Sequence, residues 1–430
     1  MQLGKIVVKA TSMFYREDHW VVMTFWNSLY IAFFLLPLGI NLPTPFFIIS
    51  IIFGIGMMFR SEKKFVLDKS LLLFPLYFIV MSLGLIYTDN LISGFDLVQR
   101  SLSLLLFPLI FLFVKEDATT VKRLFDFLLV GLVVSFCINV FKAAENLVWH
   151  VVDEKENIEI FFFLEGVARE WHHFFVGPLF SRSVNTNYIS IYILLVLSYY
   201  LKNKLQSRLQ LAIVLILFSY LFLLASVAAY LILFIMSILL ISDIADKQDK
   251  YTMTIIFLMG MLLFLNNPRI SDFYSRMKDF NSTGEYYDII TSEKSKLLAW
   301  DASIELIKDA PIFGYGVGDA NDVLIEKYKE LNYTLNYTNK YNAHNQFLQT
   351  YLQSGIIGFG VLVSIFVLLA IRMKRSRNEF SVFLILFISL LFESMLVRFN
   401  GIVFFSIVTP LLLKKRSILS SRIIRNDNNT

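Results

Sequence analysis

Residues 209–242 read LQLAIVLILFSYLFLLASVAAYLILFIMSILLIS, a run without a charged side chain. A helix crossing a hydrocarbon layer about 30 Å thick uses roughly 20 residues at about 1.5 Å each, so the run is too long for one crossing and too apolar for a water-soluble fold. We divide it near Ala225 into two helices, 208–224 and 225–242, joined by almost no loop. The pattern repeats in both directions. Apolar runs occur at 20–40, 42–59, 70–88, 101–115, 121–143, 187–201, 251–266, 346–371, 379–396 and 400–414, each closed by charged or turn-forming residues. In lipid every backbone polar group has to be bonded within the protein, and a single apolar run achieves this as a helix. The expected fold is therefore all-α, one polytopic membrane helical bundle of about 12 transmembrane helices spanning residues 1–430.

Composition agrees. Hydrophobic residues make up 57% of the chain and charged ones 17%, against roughly half and about a quarter in a soluble domain. Lys and Arg concentrate in alternate short loops: Lys5–Arg16, Arg60–Lys69, Lys115–Arg123, Lys202–Arg208, Lys247–Lys250, Arg372–Arg377 and Lys414–Arg425. Cytoplasmic loops retain positive charge, so both termini are expected in the cytoplasm. Two longer segments, 144–186 and 267–345, then face the other side, the second containing short helices. The net charge of +5 follows from this anchoring. Basic residues scattered among loops form no continuous patch, which argues against a nucleic-acid partner. No small-residue cleavage site follows the first span, which reads as a retained anchor. The single cysteine, Cys137, lies in a span and offers neither a disulfide nor a multi-thiolate metal site.

The two outer segments hold the residues capable of chemistry. Aromatic and charged residues alternate in 144–186, as suits a headgroup zone. Glu170, His172 and His173 fall short of a metal site, because the neighbouring histidines point in different directions on a helix; no metal is expected. Arg182 and Asn187 stand at the start of the sixth span, where an arginine serves either as a headgroup anchor or as a phosphate contact. From Ser292 to Asp309, Leu297, Leu298, Trp300, Ile304 and Ile307 recur at helical spacing and Pro311 ends the run, with Lys294 and Lys296 near its start. The stretch Gly314–Asp319 reads GYGVGD. Without a preceding strand it is a turn first and a phosphate contact second. His344 and Asn345 lead directly into the tenth span, in which Gly355 and Gly358 are spaced for close approach of a neighbouring helix. Arg398 lies between the last two spans.

Taken together, these residues resemble the O-antigen ligase and polymerase superfamily over about the last third of the chain. The resemblance rests on the His344–Asn345 pair with Gly355 beyond it, preceded by Trp300, Pro311, Gly314 and Gly316. It implies transfer of a glycan from undecaprenyl pyrophosphate to an acceptor hydroxyl on the periplasmic side of the bacterial inner membrane, with no nucleotide or metal cofactor. The acceptor is lipid A–core for a ligase, our preferred reading, and another carrier-linked repeat unit for a polymerase. Transfer to protein and a twelve-helix transporter are alternatives. A transporter would be expected to place polar residues in mid-span and to show related halves, which this chain does not. Under the resemblance His344 is the general base and Asn345 orients it or a substrate hydroxyl. Arg182, Lys296 and Arg398 hold the diphosphate, and Asn187 is a further substrate contact. Two positions depart from the pattern: Lys296 stands where relatives often carry Arg, and Val227 follows Ser226 where they carry another Arg. Arg182 or Arg398 would have to replace the latter.

Overall fold

A computed structural model describes residues 14–16, 19–60, 68–114, 118–153, 160–200, 207–242, 247–268, 292–374 and 377–414. Residues 269–291 of the longer outer segment, the tail from 415 onward, and Lys5, Lys9, Lys63, Lys64, Lys115, Lys202, Lys204 and Arg375 lie outside this set. The described chain is helical. In order it forms α1 (Trp20–Leu35), α2 (Thr44–Arg60), a 3₁₀ turn (Lys69–Leu72) running into α3 (Leu73–Leu83), α4 (Leu91–Ser101), α5 (Ser103–Phe113), α6 (Ala118–Asp153) and α7 (Ile160–Phe175). There follow α8 (Thr186–Tyr200), α9 (Arg208–Leu224), α10 (Val227–Ser242), α11 (Lys247–Leu265), α12 (Ser292–Lys308), α13 (Ala320–Glu330), α14 (Thr334–Thr338), α15 (Gln346–Met373), α16 (Arg377–Phe392) and α17 (Phe399–Leu413).

Four stretches are long and apolar enough to cross a membrane: Lys69–Ile86, Leu91–Phe113, Thr119–Val152 and Gln346–Met373. The remaining apolar helices are shorter, and together they make this a multi-pass helical membrane protein. Between α9 and α10 the break falls where the sequence was divided. Ala225 closes α9 in the left-handed region at φ +48°, and Ser226 Oγ lies 3.4 Å from the Ala229 amide in the first turn of α10.

Aromatic side chains of α1, α5, α6, α15 and α17 fill the main core. Some of its polar groups are paired across helices, which offsets the cost of burying them. Tyr220 takes bonds with Ser135 at 2.9 Å and Asn139 at 2.7 Å, tying α9 to α6. At one end of the bundle Arg372 grips Asp68 with two bonds, 2.8 and 3.0 Å. Burial alone would raise the Asp68 carboxyl, but the bonds from Arg372 and Ser70 together outweigh it and hold the pKa down to about 2.

Helices α12, α13 and α14 form a cap at the other end, with a small core of their own around Ala299, Ala302, Leu324 and Tyr328. The helix expected from Ser292 to Asp309 forms as α12. Its buried face is built from Ser295, Ala299, Ala302 and Ser303, while Leu297 and Ile304 are exposed. Small side chains let α12 sit close to α13 and α15.

The cap is fastened to the turn between α3 and α4. Asp319 accepts the Asp89 and Asn90 amides, both at 2.7 Å, and Thr88 Oγ1 accepts the Gly318 amide at 3.1 Å. Burial pushes the Asp319 carboxyl up, but the Asn90, Asp89 and Thr88 bonds prevail and hold it below its ordinary range. A depressed carboxyl stabilises the fold above the unfolded pKa and loses that contribution as pH falls through the folded value. The melting temperature of Asp319→Asn should therefore lie furthest below wild type near neutral pH, with the gap closing in acid. A gap independent of pH would show that charge is not what fastens the cap.

Candidate functional site

His344 sits in the last linker of the cap, immediately before α15, at φ +47°. That region is costly for a residue with a side chain and persists only when neighbours enforce it. Three contacts do so. The His344 amide donates to Asn342 Oδ1 at 3.0 Å, Trp300 Nε1 on α12 donates to the His344 carbonyl at 3.3 Å, and the Ala343 amide donates to Gln349 Oε1 at 3.0 Å. Asn345 is the N-cap of α15, its Oδ1 accepting the Phe347 and Leu348 amides at 2.9 and 3.2 Å. Its oxygen is thus committed to the helix end.

The imidazole, 14% exposed, points Nδ1 at Glu393 Oε1, 3.8 Å away. That is too long for a hydrogen bond and within ion-pair reach. Neither atom has another hydrogen-bond partner among the described residues. Glu393, at the end of α16, is buried. Its other oxygen accepts Asn187 Nδ2 at 3.0 Å, and Asn187 Oδ1 accepts Ser226 Oγ at 2.9 Å. A polar chain Ser226–Asn187–Glu393–His344 therefore links the α9–α10 junction, the start of α8, the end of α16 and the head of α15. Lys296 and Arg398 stand within Coulombic reach of Glu393. Tyr188, buried beside them, senses the charges of Glu393 and Arg398. A narrow cavity between α8, α10 and α16 is lined by Asn187, Ser226, Ser389 and Glu393 at its polar side and by Ile191 and Ile232.

Of the residues singled out from sequence, His344, Asn187, Lys296 and Arg398 are brought around one carboxylate. Asn345 is adjacent in a capping role. Arg182 is exposed on the linker before α8, and among the described residues no hydrogen bond or ion pair joins it to this group. Glu393 was missed, although an ionisable residue in a run as apolar as 379–396 is itself a signal.

Gly355 also needs reassignment. It does not face a neighbouring helix; with Ser354 it breaks α15, at φ +60° and ψ −157°. The cap turn Pro311–Gly314 enters this break, where the Ile356 amide donates to the Ile312 carbonyl at 3.0 Å and the Tyr315 amide donates to the Leu352 carbonyl at 2.7 Å. Gly358 faces Ser354 of its own helix. The amides of Gly314, Tyr315 and Gly318 are engaged within the protein, so GYGVGD forms the turn that the sequence reading put first. The His172 and His173 rings, expected to diverge, stack 4.6 Å apart.

Comparison with known proteins bears on this arrangement directly. Residues 212–363 match the family model for O-antigen ligase. The O-antigen ligase match takes in Ser226, Lys296, Trp300, His344, Asn345 and Gly355 and leaves Asn187, Glu393 and Arg398 outside it. The chain is also 26% identical over 129 residues to an uncharacterized protein of Haemophilus influenzae. That alignment covers 29% of this chain and 32% of the relative, so the chain spans about a third of the length of the curated relative it matches.

Proposed function

We propose that this protein is an O-antigen ligase-type glycosyltransferase of the bacterial inner membrane, built on about twelve spans. It moves a glycan from undecaprenyl pyrophosphate to a hydroxyl of lipid A–core, with both termini in the cytoplasm and the cap in the periplasm. The observation that carries this reading is the convergence of His344, Glu393, Asn187 and Ser226 from separate elements beside two cations, in a chain whose residues 212–363 match that family.

The chemistry suits these groups. Pyrophosphate is a good leaving group and needs cations to receive its charge, a task for Lys296 and Arg398, with Arg182 at the rim. The acceptor hydroxyl is a poor nucleophile and benefits from a base. His344 takes its proton as the new bond to the anomeric carbon forms and the bond from that carbon to the diphosphate oxygen breaks. Glu393 faces the imidazolium so produced, and Asn187 holds the carboxylate in place. Arg398, adjacent to the cluster, takes the part of the arginine that Val227 lacks. Neither a nucleotide nor a metal is called for, because the donor arrives activated.

Deleting the gene and examining the lipopolysaccharide tests the reading. A ligase predicts loss of long chains with carrier-linked polymer accumulating; core bearing one repeat unit would indicate a polymerase instead. A reporter fused after Lys327 should behave as periplasmic, and a cytoplasmic signal would overturn the orientation. In a reconstituted assay Arg398→Ala and Lys296→Ala should each lose on the order of 10²-fold, the scale of a charge-stabilising donor. Arg182→Ala should lose less. Lys308→Ala, whose partner Glu305 lies on the same exposed face of α12, should change nothing. Equal effects at all four positions would remove these cations from the site.

A further inference from the structure

The cap turn that enters the break in α15 has a second side. Ile312 is 67% exposed and Phe313 57%, in a segment whose two carbonyls both accept hydrogen bonds from the spans beside it. Their neighbours are also apolar and exposed: Ile356 and Ile357 just below the break in α15, and Ile86 and Tyr87 at the end of the Lys69–Ile86 span. Contact is direct, through the Ile356 amide on the Ile312 carbonyl at 3.0 Å and the Tyr87 hydroxyl on the Phe313 carbonyl at 2.6 Å. Both spans also expose apolar side chains along one side, among them Leu72, Leu76, Ile79 and Leu83 on the first and Val367 and Ile371 on α15, a surface suited to lipid.

Height along the spans decides what covers the turn. The Asp68–Arg372 pair, two charges, marks one headgroup level. From Arg372 back to Ile356 the helix rises about 24 Å, and from Asp68 to Ile86, through two 3₁₀ turns and α3, about 30 Å, neither exceeding the roughly 30 Å of a hydrocarbon layer. Ile312, bonded to Ile356, therefore lies at or within the far boundary of the hydrocarbon, although its segment belongs to the cap.

We propose that the Ile312–Phe313 turn is a membrane anchor of the cap, seated among acyl chains of the leaflet on the cap side. It continues the lipid-facing surface of α15 and the Lys69–Ile86 span. Tyr87 marks the boundary, as tyrosine does at membrane–water interfaces. The anchor fixes the height of the cap over the bilayer, independently of what reaction the site performs.

The test uses the full chain with Cys137→Ser, in nanodiscs of phosphatidylethanolamine and phosphatidylglycerol, which leave both faces open to buffer. Phe313→Cys is labelled with a small fluorophore, and Lys329→Cys, on the exposed side of α13, is the comparison. Quenching is measured with a phosphatidylcholine spin-labelled on its acyl chain and with aqueous iodide. The ratio of lipid to iodide quenching should be several-fold higher at 313 than at 329. A ratio no higher, or a 313 label shielded from both quenchers by protein, overturns the proposal. If Phe313→Cys does not assemble, Ile312→Cys carries the same measurement.

Discussion

His344→Ala is expected to lower glycan transfer by about 10²–10⁴-fold, the usual contribution of a general base, while the protein still inserts and assembles. The structure explains why folding should survive. Nδ1 has no hydrogen-bond partner to orphan, and the local backbone is held by the Asn342, Trp300 and Gln349 contacts, which use main-chain atoms at 343 and 344. Alanine at φ +47° carries the same kind of strain as histidine, so the backbone is not what changes. His344→Gln separates proton transfer from positioning, because an amide can hydrogen-bond but cannot accept a proton near neutral pH. It should be as inactive as the alanine variant. Near-full activity in the Gln variant would reduce His344 to a substrate contact and send the search for a base elsewhere.

Gly355→Ala is expected to be severely damaging for a change of a single methyl group. A Cβ there would stand 1.9 Å from the Ile312 carbonyl oxygen and 2.6 Å from the Gly314 amide nitrogen, backbone atoms that no rotamer change can move. The conformation, φ +60° with ψ −157°, is one that only glycine adopts readily, and forcing it costs on the order of 1–3 kcal/mol before any clash is counted. Relief requires the cap turn to withdraw, which breaks the Ile356–Ile312 and Tyr315–Leu352 bonds. Thermal unfolding in detergent should show a loss of several degrees or failure to accumulate. Gly360→Ala is the control, since a Cβ there meets nothing within 4 Å. Equal behaviour of the two variants would mean that the break in α15 is not braced by the cap.

What could be read from sequence followed physical signals that act locally. Apolar runs bounded by charges gave the ends of α8, α9 and α17 to within about two residues, and the αL break at Ala225 lay where span length required a division. His344, Asn187 and Arg398 drew attention because polar residues at the ends of spans stand out against an apolar background, and Lys296, on the cap helix α12, through the family resemblance. Glu393 left a trace, an ionisable residue in an apolar run, but nothing in the sequence paired it with His344; only the fold brings the end of α16 to the head of α15. Gly355 was misassigned because close approach of a helix and a break in a helix leave the same trace, a glycine in an apolar run. The far end of α6 was taken for loop because its polar residues, among them Lys142, Glu145 and Asn146, end the apolar run without ending the helix.

That last helix has a practical consequence. With 36 residues, α6 is about 54 Å long, so some 24 Å of it cannot be covered by a hydrocarbon layer of about 30 Å. Helix α7 folds back against it, with the His150 and Phe174 rings 5.3 Å apart. Membrane proteins of this size are hard to align in electron images because a detergent belt hides nearly all of their mass. The paired α6 and α7 therefore offer an epitope for an antibody fragment that would orient single particles and, applied to intact cells, would report which face of the membrane displays it.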